Sequence, residues 1–147
     1  SHRFGDDGIC ILGGVKFHNT PKLIANSDGD AGLHAICNAL LSAIGKNSLS
    51  NFADEMCKAG EKNSSKYVEI AIEKIKTHGF KIENITLTFE CFRPKLEKSF
   101  DEMREKLSKL LKISPQQIGL NATTGEKLTA FGRGEGVEVT AVVLLVN

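Results

Sequence analysis

The sequence predicts an α/β or α+β sandwich, in which helices cover a sheet. Segments with apolar residues at helical spacing are interleaved along the chain with short, strand-like apolar runs. The predicted order is β-β-α-α-β-α-β-β, without a repeated βαβ unit, an internal repeat or a linker, and this order fits helices packed on a sheet. Because 147 residues is the length of one ordinary domain, we expect residues 1–147 to form a single domain.

The first predicted elements are a hairpin and a buried helix. Residues 8–12 and 15–18 flank Gly13-Gly14, and this pattern predicts two strands joined by a tight turn. From about Asp30 to Ile44, large apolar residues and alanines alternate at helical spacing. Since apolar or small residues cover most of its circumference, we expect this helix to be well buried.

The remainder of the chain is predicted to supply two further helices and three strands. Residues 46–63 are polar and weakly periodic, and they predict a loop with at most one short turn. The later helices are predicted from Ser64 or Ser65 to near His78 and from about 97 to 112, and the strands at 85–92, 117–123 and 137–146.

Composition excludes several classes of protein. Hydrophobic residues make up 41% and charged residues 25%, as in an ordinary globular protein. Nineteen Lys and Arg against eighteen Asp and Glu leave a net charge of +1, so no global basic field for a nucleic acid is predicted. No apolar run approaches the ~20 residues that cross a bilayer. The four cysteines form no C-x-x-C pair, which favours a reducing compartment.

Two histidines and two aspartates form the first candidate site. Imidazole nitrogens and carboxylate oxygens both bind zinc, so His2, Asp28, Asp30 and His34 are candidate ligands. Asp30 and His34 are four residues apart, and a helix places them on one face. The alternative is that His34 is a histidine at the edge of the core, hydrogen-bonded to a carbonyl.

Four further segments are candidates for binding anions. Residues 26–30 precede a helix N-terminus, which favours anions, although Ser27 could simply cap the helix. At 122–127, hydroxyl groups at a strand end can hold phosphate oxygens and Glu126 can bind Mg²⁺, although an ordinary strand-to-turn junction has the same pattern. Arg133 lies among three glycines and can bind an anion, as can the basic stretch 93–95, which could equally be a solubilising edge.

Eight short blocks of sequence occur in a fixed order along nearly the whole chain. They are His-Arg-Phe-Gly at 2–5, Ile-Leu-Gly-Gly-Val at 11–15, Ser-Asp-Gly-Asp at 27–30, Leu-His-Ala-Ile at 33–36, Pro-Lys at 94–95, Ala-Thr-Thr at 122–124, Glu-Lys-Leu at 126–128 and Gly-Arg-Gly-Glu-Gly at 132–136. In these blocks the chain resembles the 2-C-methyl-D-erythritol 2,4-cyclodiphosphate synthase family of the non-mevalonate isoprenoid pathway.

The resemblance implies a fold, an assembly and a reaction. The expected subunit has a four-stranded mixed sheet with helices on one face and a small hairpin, and three subunits form a homotrimer with active sites between neighbours. The implied substrate is a nucleotide diphosphate, 4-diphosphocytidyl-2-C-methyl-D-erythritol 2-phosphate, which is cyclised with release of CMP. No nucleic acid or membrane partner is implied, and the expected location is the cytoplasm, or a plastid-type organelle in a eukaryote.

The resemblance also implies metal ligands. His2 and His34 match ligands of zinc, or of another divalent transition metal, and Glu126 matches the ligand of Mg²⁺ or Mn²⁺. Thr124 and Glu126 match catalytic residues. The third zinc ligand of the family, an aspartate, would fall immediately before Ser1, so we expect an N-terminal segment, including its strand, to be missing from this sequence.

The remaining site residues are likewise assigned by resemblance. At the methylerythritol phosphate end they are Asn26, Ser27 and Asp54; at the cytidine and diphosphate they are Cys91, Pro94, Lys95, Leu96, Ala122, Thr123 and Thr124; at the central channel of the trimer the residue is Arg133.

This chain departs from the family pattern at several positions. Asn26 replaces a histidine, which removes a charge near the phosphate, and Asn38 replaces an aspartate that could support the zinc site. Gly125 replaces a threonine, and 45–51 lacks the usual Asp-Ile-Gly pattern. These departures motivate an alternative, a non-catalytic trimeric relative that binds CMP or a phosphorylated ligand. A trimer without any ligand and a metal-dependent phosphohydrolase fit the sequence less well.

Overall fold

The computed structural model describes residues 1–147, which form two sheets and four α-helices. The strands are β1 (His2–Arg3), β2 (Cys10–Leu12), β3 (Val15–Phe17), β4 (Lys81–Glu90), β5 (Ile118–Thr123) and β6 (Gly136–Val146), and the helices are α1 (Ala31–Ala43), α2 (Ser50–Lys58), α3 (Ser64–Thr77) and α4 (Phe100–Leu111). Short 3₁₀ turns lie at Glu97–Ser99, Pro115–Gln117 and Gly125–Lys127.

The larger sheet has four strands in the order β1-β6-β4-β5. Strands β4 and β5 are parallel, and the β1–β6 and β4–β6 pairs are antiparallel. The predicted four-stranded mixed sheet is therefore confirmed. Strands β2 and β3 form the predicted separate hairpin, whose turn residues Gly13 and Gly14 have φ of 57° and 78°, values that glycine adopts without strain.

The helices lie on one face of the larger sheet. Ile85, Leu87 and Phe89 of β4 are buried at every second position, as in a strand with one face on the core. Helix α1 packs against β6 and α3, and α4 packs against α3 and β5. The opposite face of the sheet carries no helix and leaves Val142 and Leu144 of β6 exposed by 65% and 51%.

Helix α2 lies within residues 46–63, so the prediction of a loop there was wrong. Phe52, Met56 and Ala53 are spaced as on one helical face, but only Ala53 is buried and the segment is polar overall. The side-chain oxygen of Asn38, on α1, accepts a hydrogen bond of 2.9 Å from the backbone N–H of Leu49 at the start of α2. A contact with α1 therefore helps to position α2, and the sequence of residues 46–63 alone does not reveal it.

Two boundaries also differ from the prediction. Strand β4 begins at Lys81 rather than at 85, and α4 begins at Phe100 rather than at about 97, after a 3₁₀ turn.

None of the helices combines the length with the apolar character that a membrane span requires.

Candidate functional site

The two histidines predicted to bind a metal face each other in a polar pocket. Nε2 of His2, on β1, lies 3.0 Å from Nδ1 of His34, on α1, and the rings meet edge to face. The pocket has a volume of about 320 Å³, and its lining includes Asn26, Ser27 and Asp54. The structure therefore brings together the residues assigned to zinc and those assigned to the methylerythritol phosphate.

Asp30 holds α1 in place and does not face the metal pocket. It is the N-cap of α1, and its fully buried carboxylate accepts hydrogen bonds from the backbone N–H groups of Gly13 (2.8 Å), Gly14 (2.7 Å) and Leu33 (3.0 Å). Burial raises the pKa of this carboxyl, and the backbone donors oppose the rise. The interpretation of Asp30 as a ligand was wrong, because its oxygens are used to fasten α1 to the hairpin. Asp30, not Ser27, caps this helix.

Asp28 and Ser64 orient the ring of His34. The Asp28 carboxylate accepts hydrogen bonds from the backbone N–H of Ser64 (3.0 Å) and from the Ser64 hydroxyl. The Ser64 oxygen lies 2.8 Å from Nε2 of His34. Since a carboxylate only accepts, the hydroxyl proton points at Asp28, and the Ser64 oxygen accepts from Nε2–H of His34. This relay leaves Nδ1 of the neutral ring without a proton.

The ring of His2 lies beside that of His34 in the same pocket. Nε2 of His2 faces Nδ1 of His34, and the nearby Ile24 backbone raises the pKa of His2 by less than burial lowers it. Burial lowers the pKa of His2, and burial together with the neighbouring His2 lowers the pKa of His34 to about 4. Both rings are therefore neutral at neutral pH, and two neutral imidazoles this close together suit a shared divalent cation.

The histidine pair supplies two ligands, and the aspartates predicted beside it do not complete a cluster. No group of three or more His, Cys, Asp or Glu side chains is placed to hold a metal within this chain. Asp28 is bound to Ser64 and Asp30 to the hairpin, as described above. Asn38, expected at the zinc site in place of an aspartate, instead binds Leu49.

The residues assigned to cytidine and diphosphate lie at the carboxyl ends of β4 and β5. The backbone N–H of Cys91 donates to the carbonyl of Thr123 (3.0 Å), which joins the segment after β4 to the end of β5. Cys91 and Leu96 are buried, so they can contribute only backbone groups. The ammonium of Lys95 lies 5.2 Å from the ring centroid of exposed Phe92, and that of Lys127 lies 5.8 Å from it. Pro94 follows a cis peptide bond, and Ala122 and Thr124 are half-buried on the neighbouring strand end.

The loop that carries Glu126 has an unusual backbone. Gly125, Glu126 and Lys127 have φ of 55°, 52° and 63°, the left-handed region that costs non-glycine residues energy. The hydroxyl of Thr123 accepts from the N–H of Gly125 (2.9 Å), and the Thr129 hydroxyl donates to the Glu90 carboxylate. The side chain of Glu126 is exposed. Strain held at an exposed carboxylate is typical of a functional site.

These two groups of residues lie on opposite edges of the larger sheet. His2 pairs with Val137 of β6, while Glu138 of β6 pairs with Glu90 of β4, which pairs with Thr123 of β5. Three interstrand spacings therefore separate β1 from β5 at this level, about 14 Å. One chain does not bring its histidine pair and its Thr123–Glu126 loop around one diphosphate.

Arg133 lies in the connection between β5 and β6. Its Nε is 3.4 Å from Oε1 of Glu135, and its Nη1 donates to the carbonyl of Leu128 (3.2 Å). The side chain is half-exposed, and it contacts neither group of site residues.

Sequence reasoning missed Ser64. Its sequence position predicted only the start of a helix, whose N-cap in the structure is Asn63, and its partner Asp28 is 36 residues away along the chain. Only the buried position of Ser64 beside His34 shows its second role.

The chain is similar to known proteins over its whole length. The model of the YgbB family matches residues 1–146. The 2-C-methyl-D-erythritol 2,4-cyclodiphosphate synthase of Chlamydia muridarum is 41% identical, over 100% of this chain and 84% of its own length. A solved 2C-methyl-D-erythritol-2,4-cyclodiphosphate synthase in a CDP-bound form is 31% identical, with a TM-score of 0.89 over 99% of this chain and 95% of its own. The bifunctional IspDF from Campylobacter jejuni is 33% identical, with a TM-score of 0.91, and the matching region covers 98% of this chain but 39% of that longer chain.

Proposed function

The chain belongs to the YgbB family, and we propose that it cyclises 4-diphosphocytidyl-2-C-methyl-D-erythritol 2-phosphate to 2-C-methyl-D-erythritol 2,4-cyclodiphosphate with release of CMP. The observation that carries the proposal is the facing pair His2 and His34 in a pocket shared with Asn26, Ser27 and Asp54. Relatives named as this synthase match the full length of the chain and favour an enzyme over the non-catalytic alternative.

The proposed reaction is one intramolecular displacement at phosphorus. An oxygen of the 2-phosphate forms a bond to the β-phosphorus, and the bond from that phosphorus to the bridging oxygen breaks. The electron pair leaves with the bridging oxygen, which becomes part of the phosphate of CMP. The protein therefore needs no covalent intermediate, and its contribution is to hold the two phosphates together and to stabilise their charge.

We propose that two kinds of divalent ion assist this displacement. His2 and His34 would hold zinc or another transition metal, because neutral imidazole is a good ligand for these ions. Glu126 would hold Mg²⁺ or Mn²⁺, which prefer carboxylate and phosphate oxygens. When bound, such ions neutralise phosphate charge and orient the attack. The chain itself fixes the ring of His34 through Ser64 and Asp28.

The nucleotide end of the substrate would lie at the ends of β4 and β5. Backbone groups of Cys91–Leu96 and Ala122 would hold the cytidine, since the buried side chains there are not accessible. Lys95 and the hydroxyls of Thr123 and Thr124 would hold the diphosphate. Arg133 would face the central channel of the assembly.

We propose that the active site is completed between subunits of a homotrimer. The separation of about 14 Å between β1 and β5 supports a site built from the histidine edge of one chain and the threonine edge of its neighbour. Such a contact joins two different surfaces, and three copies of it can close a ring. The open face of the sheet, with exposed Val142 and Leu144, is available for this assembly.

We also propose that residues 1–147 act as one catalytic domain in the cytoplasm. All four cysteines are free in the structure. Free cysteines are typical of a reducing compartment and support this location.

The function is tested by ³¹P NMR of the substrate with the purified protein, Zn²⁺ and Mg²⁺. We expect the resonances of the cyclic diphosphate and of CMP to appear together. An unchanged spectrum with folded, metal-loaded protein would contradict the proposal. As controls, His34→Ala should lose both bound zinc and turnover, and Glu126→Gln should lose Mg²⁺-dependent turnover while keeping zinc.

A further inference from the structure

The pocket that contains the histidine pair offers a phosphate no permanently charged cationic side chain. Among the residues that line it there is no lysine or arginine, and Asp54 contributes a carboxylate. Asn26, at the same end of the pocket, can donate a hydrogen bond but carries no charge. A phosphate monoester carries a charge of nearly −2 at neutral pH. With both histidines assigned to the metal, the pocket walls therefore leave the phosphate end of the substrate without a cationic side chain.

An adjoining cavity supplies two positive charges. It has a volume of about 560 Å³ and shares Ala25, Asn26, Asp54 and Cys57 with the histidine pocket, and its two other lining residues are Lys58 and Lys62. The two cavities are thus continuous at Asn26 and Asp54. Both lysines line only the second cavity, and neither lines the histidine pocket.

The two lysines are held near the junction by the fold. Lys58 is the last residue of α2, the helix that also carries Asp54. The carbonyl of Lys62 accepts a hydrogen bond of 2.9 Å from the backbone N–H of Asp28, which ties the α2–α3 connection to the segment that carries Asn26.

Both ammonium groups are available for a ligand. The ion pairs of the chain involve other residues, so neither Lys58 nor Lys62 has a carboxylate within 4.0 Å of its ammonium group. Lysine binds phosphate as a point charge on a flexible stem, so it does not need the fixed geometry of an arginine site.

We infer that Lys58 and Lys62 bind the 2-phosphate of the substrate at the junction of the two cavities, where they supply the charge that Asn26 lacks. This inference rests on the proposed function. The role assigned to the lysines is substrate binding. A charge that holds the phosphate equally in the ground state and in the transition state lowers KM without changing kcat, so this role has a kinetic signature.

The test compares the double variant Lys58→Ala/Lys62→Ala with the wild type in steady-state kinetics at low salt. We expect KM to rise about tenfold with kcat within about twofold of the wild type. Added salt should raise KM of the wild type more steeply than KM of the double variant, because salt screens the lysine charges. The variant Lys58→Arg/Lys62→Arg should keep the wild-type KM.

The matched control is Lys66→Ala on α3. Lys66 is an exposed lysine whose ammonium pairs with Glu69 at 2.9 Å, and it lies in a groove away from both cavities. The KM of the Lys66→Ala variant should therefore equal that of the wild type. An unchanged KM in the double alanine variant, or an equal rise in the arginine variant, would overturn the inference. A wild-type protein that forms no cyclic product would instead refute the proposed function, so the two failures are distinguishable.

Discussion

Replacing Ser64 with alanine is expected to weaken zinc binding by about 10- to 100-fold, the usual cost of removing a group that supports a metal-bound histidine. The hydroxyl accepts from Nε2 of His34 (2.8 Å) and donates to Asp28, and both contacts are lost. Nε2 of His34 then keeps only the Ser27 oxygen, at 3.1 Å. The expected loss corresponds to roughly 1.4–2.8 kcal/mol, the strength of a hydrogen bond to a charged network.

The assay is a competition between the protein and a coloured chelator for Zn²⁺ at neutral pH. Ser64→Thr keeps the hydroxyl and should keep the affinity. Ser65→Ala is the matched control, because the Ser65 hydroxyl is exposed and bonds only to the side chain of Asn63 (2.7 Å). The melting temperature of each variant separates a loss of affinity from a loss of fold.

Two results would refute the reasoning. Equal zinc affinity in the folded Ser64→Ala variant and the Ser65→Ala control would show that the relay does not fix the ring of His34. Full zinc affinity in His34→Ala would show that the metal binds elsewhere in the chain.

Three further perturbations follow from the same contacts. The metal-free protein should lose stability as pH falls from 6.5 to about 4, because in this window the unfolded chain binds a proton that folded His34 does not; urea unfolding should show a shallower pH dependence in His34→Gln. Asp30→Asn should lower the free energy of unfolding by about 2–4 kcal/mol, since an amide nitrogen would face backbone N–H donors, and an unchanged urea midpoint would contradict this. Gly125→Ala should lower the free energy of unfolding by about 1–3 kcal/mol, because φ is 55° there and the new Cβ would collide with the Glu90 carboxylate. When Gly125→Ala is made in a Glu90→Ala background, the part of this loss that comes from the collision should disappear.

The fold was predictable where one local pattern dominates. The apolar run of β6 and the apolar circumference of α1 predicted their elements, and the glycine pair at 13–14 predicted the hairpin turn. Helix α2 was not predictable in this way, because a polar segment with one buried residue resembles a loop. Its start depends on Asn38, which belongs to another helix.

The sequence predicted residues that carry the chemistry of the candidate site, but not the contacts that hold those residues in place. The spacing of Asp30 and His34 fits both a pair of ligands and a cap followed by a free histidine. The backbone N–H groups of Gly13 and Gly14 bind the Asp30 carboxylate and so decide in favour of the cap. They lie 17 and 16 residues from Asp30 along the chain, beyond the reach of local reasoning. The contact between Asp28 and Ser64 is equally invisible to local reasoning.

The sheet places the proposed zinc site and the proposed Thr123–Glu126 site at opposite edges. The histidine pair is set by contacts within one chain: Asp30 places α1, Ser64 orients His34, and β6 places His2. The Thr123–Glu126 loop is set at the opposite edge by different contacts, which include the Glu90 carboxylate. Zinc affinity therefore reports on one edge of a single chain, whereas turnover under the proposed function requires the second edge of a neighbour. A variant that loses turnover but keeps zinc points to the threonine edge or to the assembly, and one that loses both points to the histidine edge.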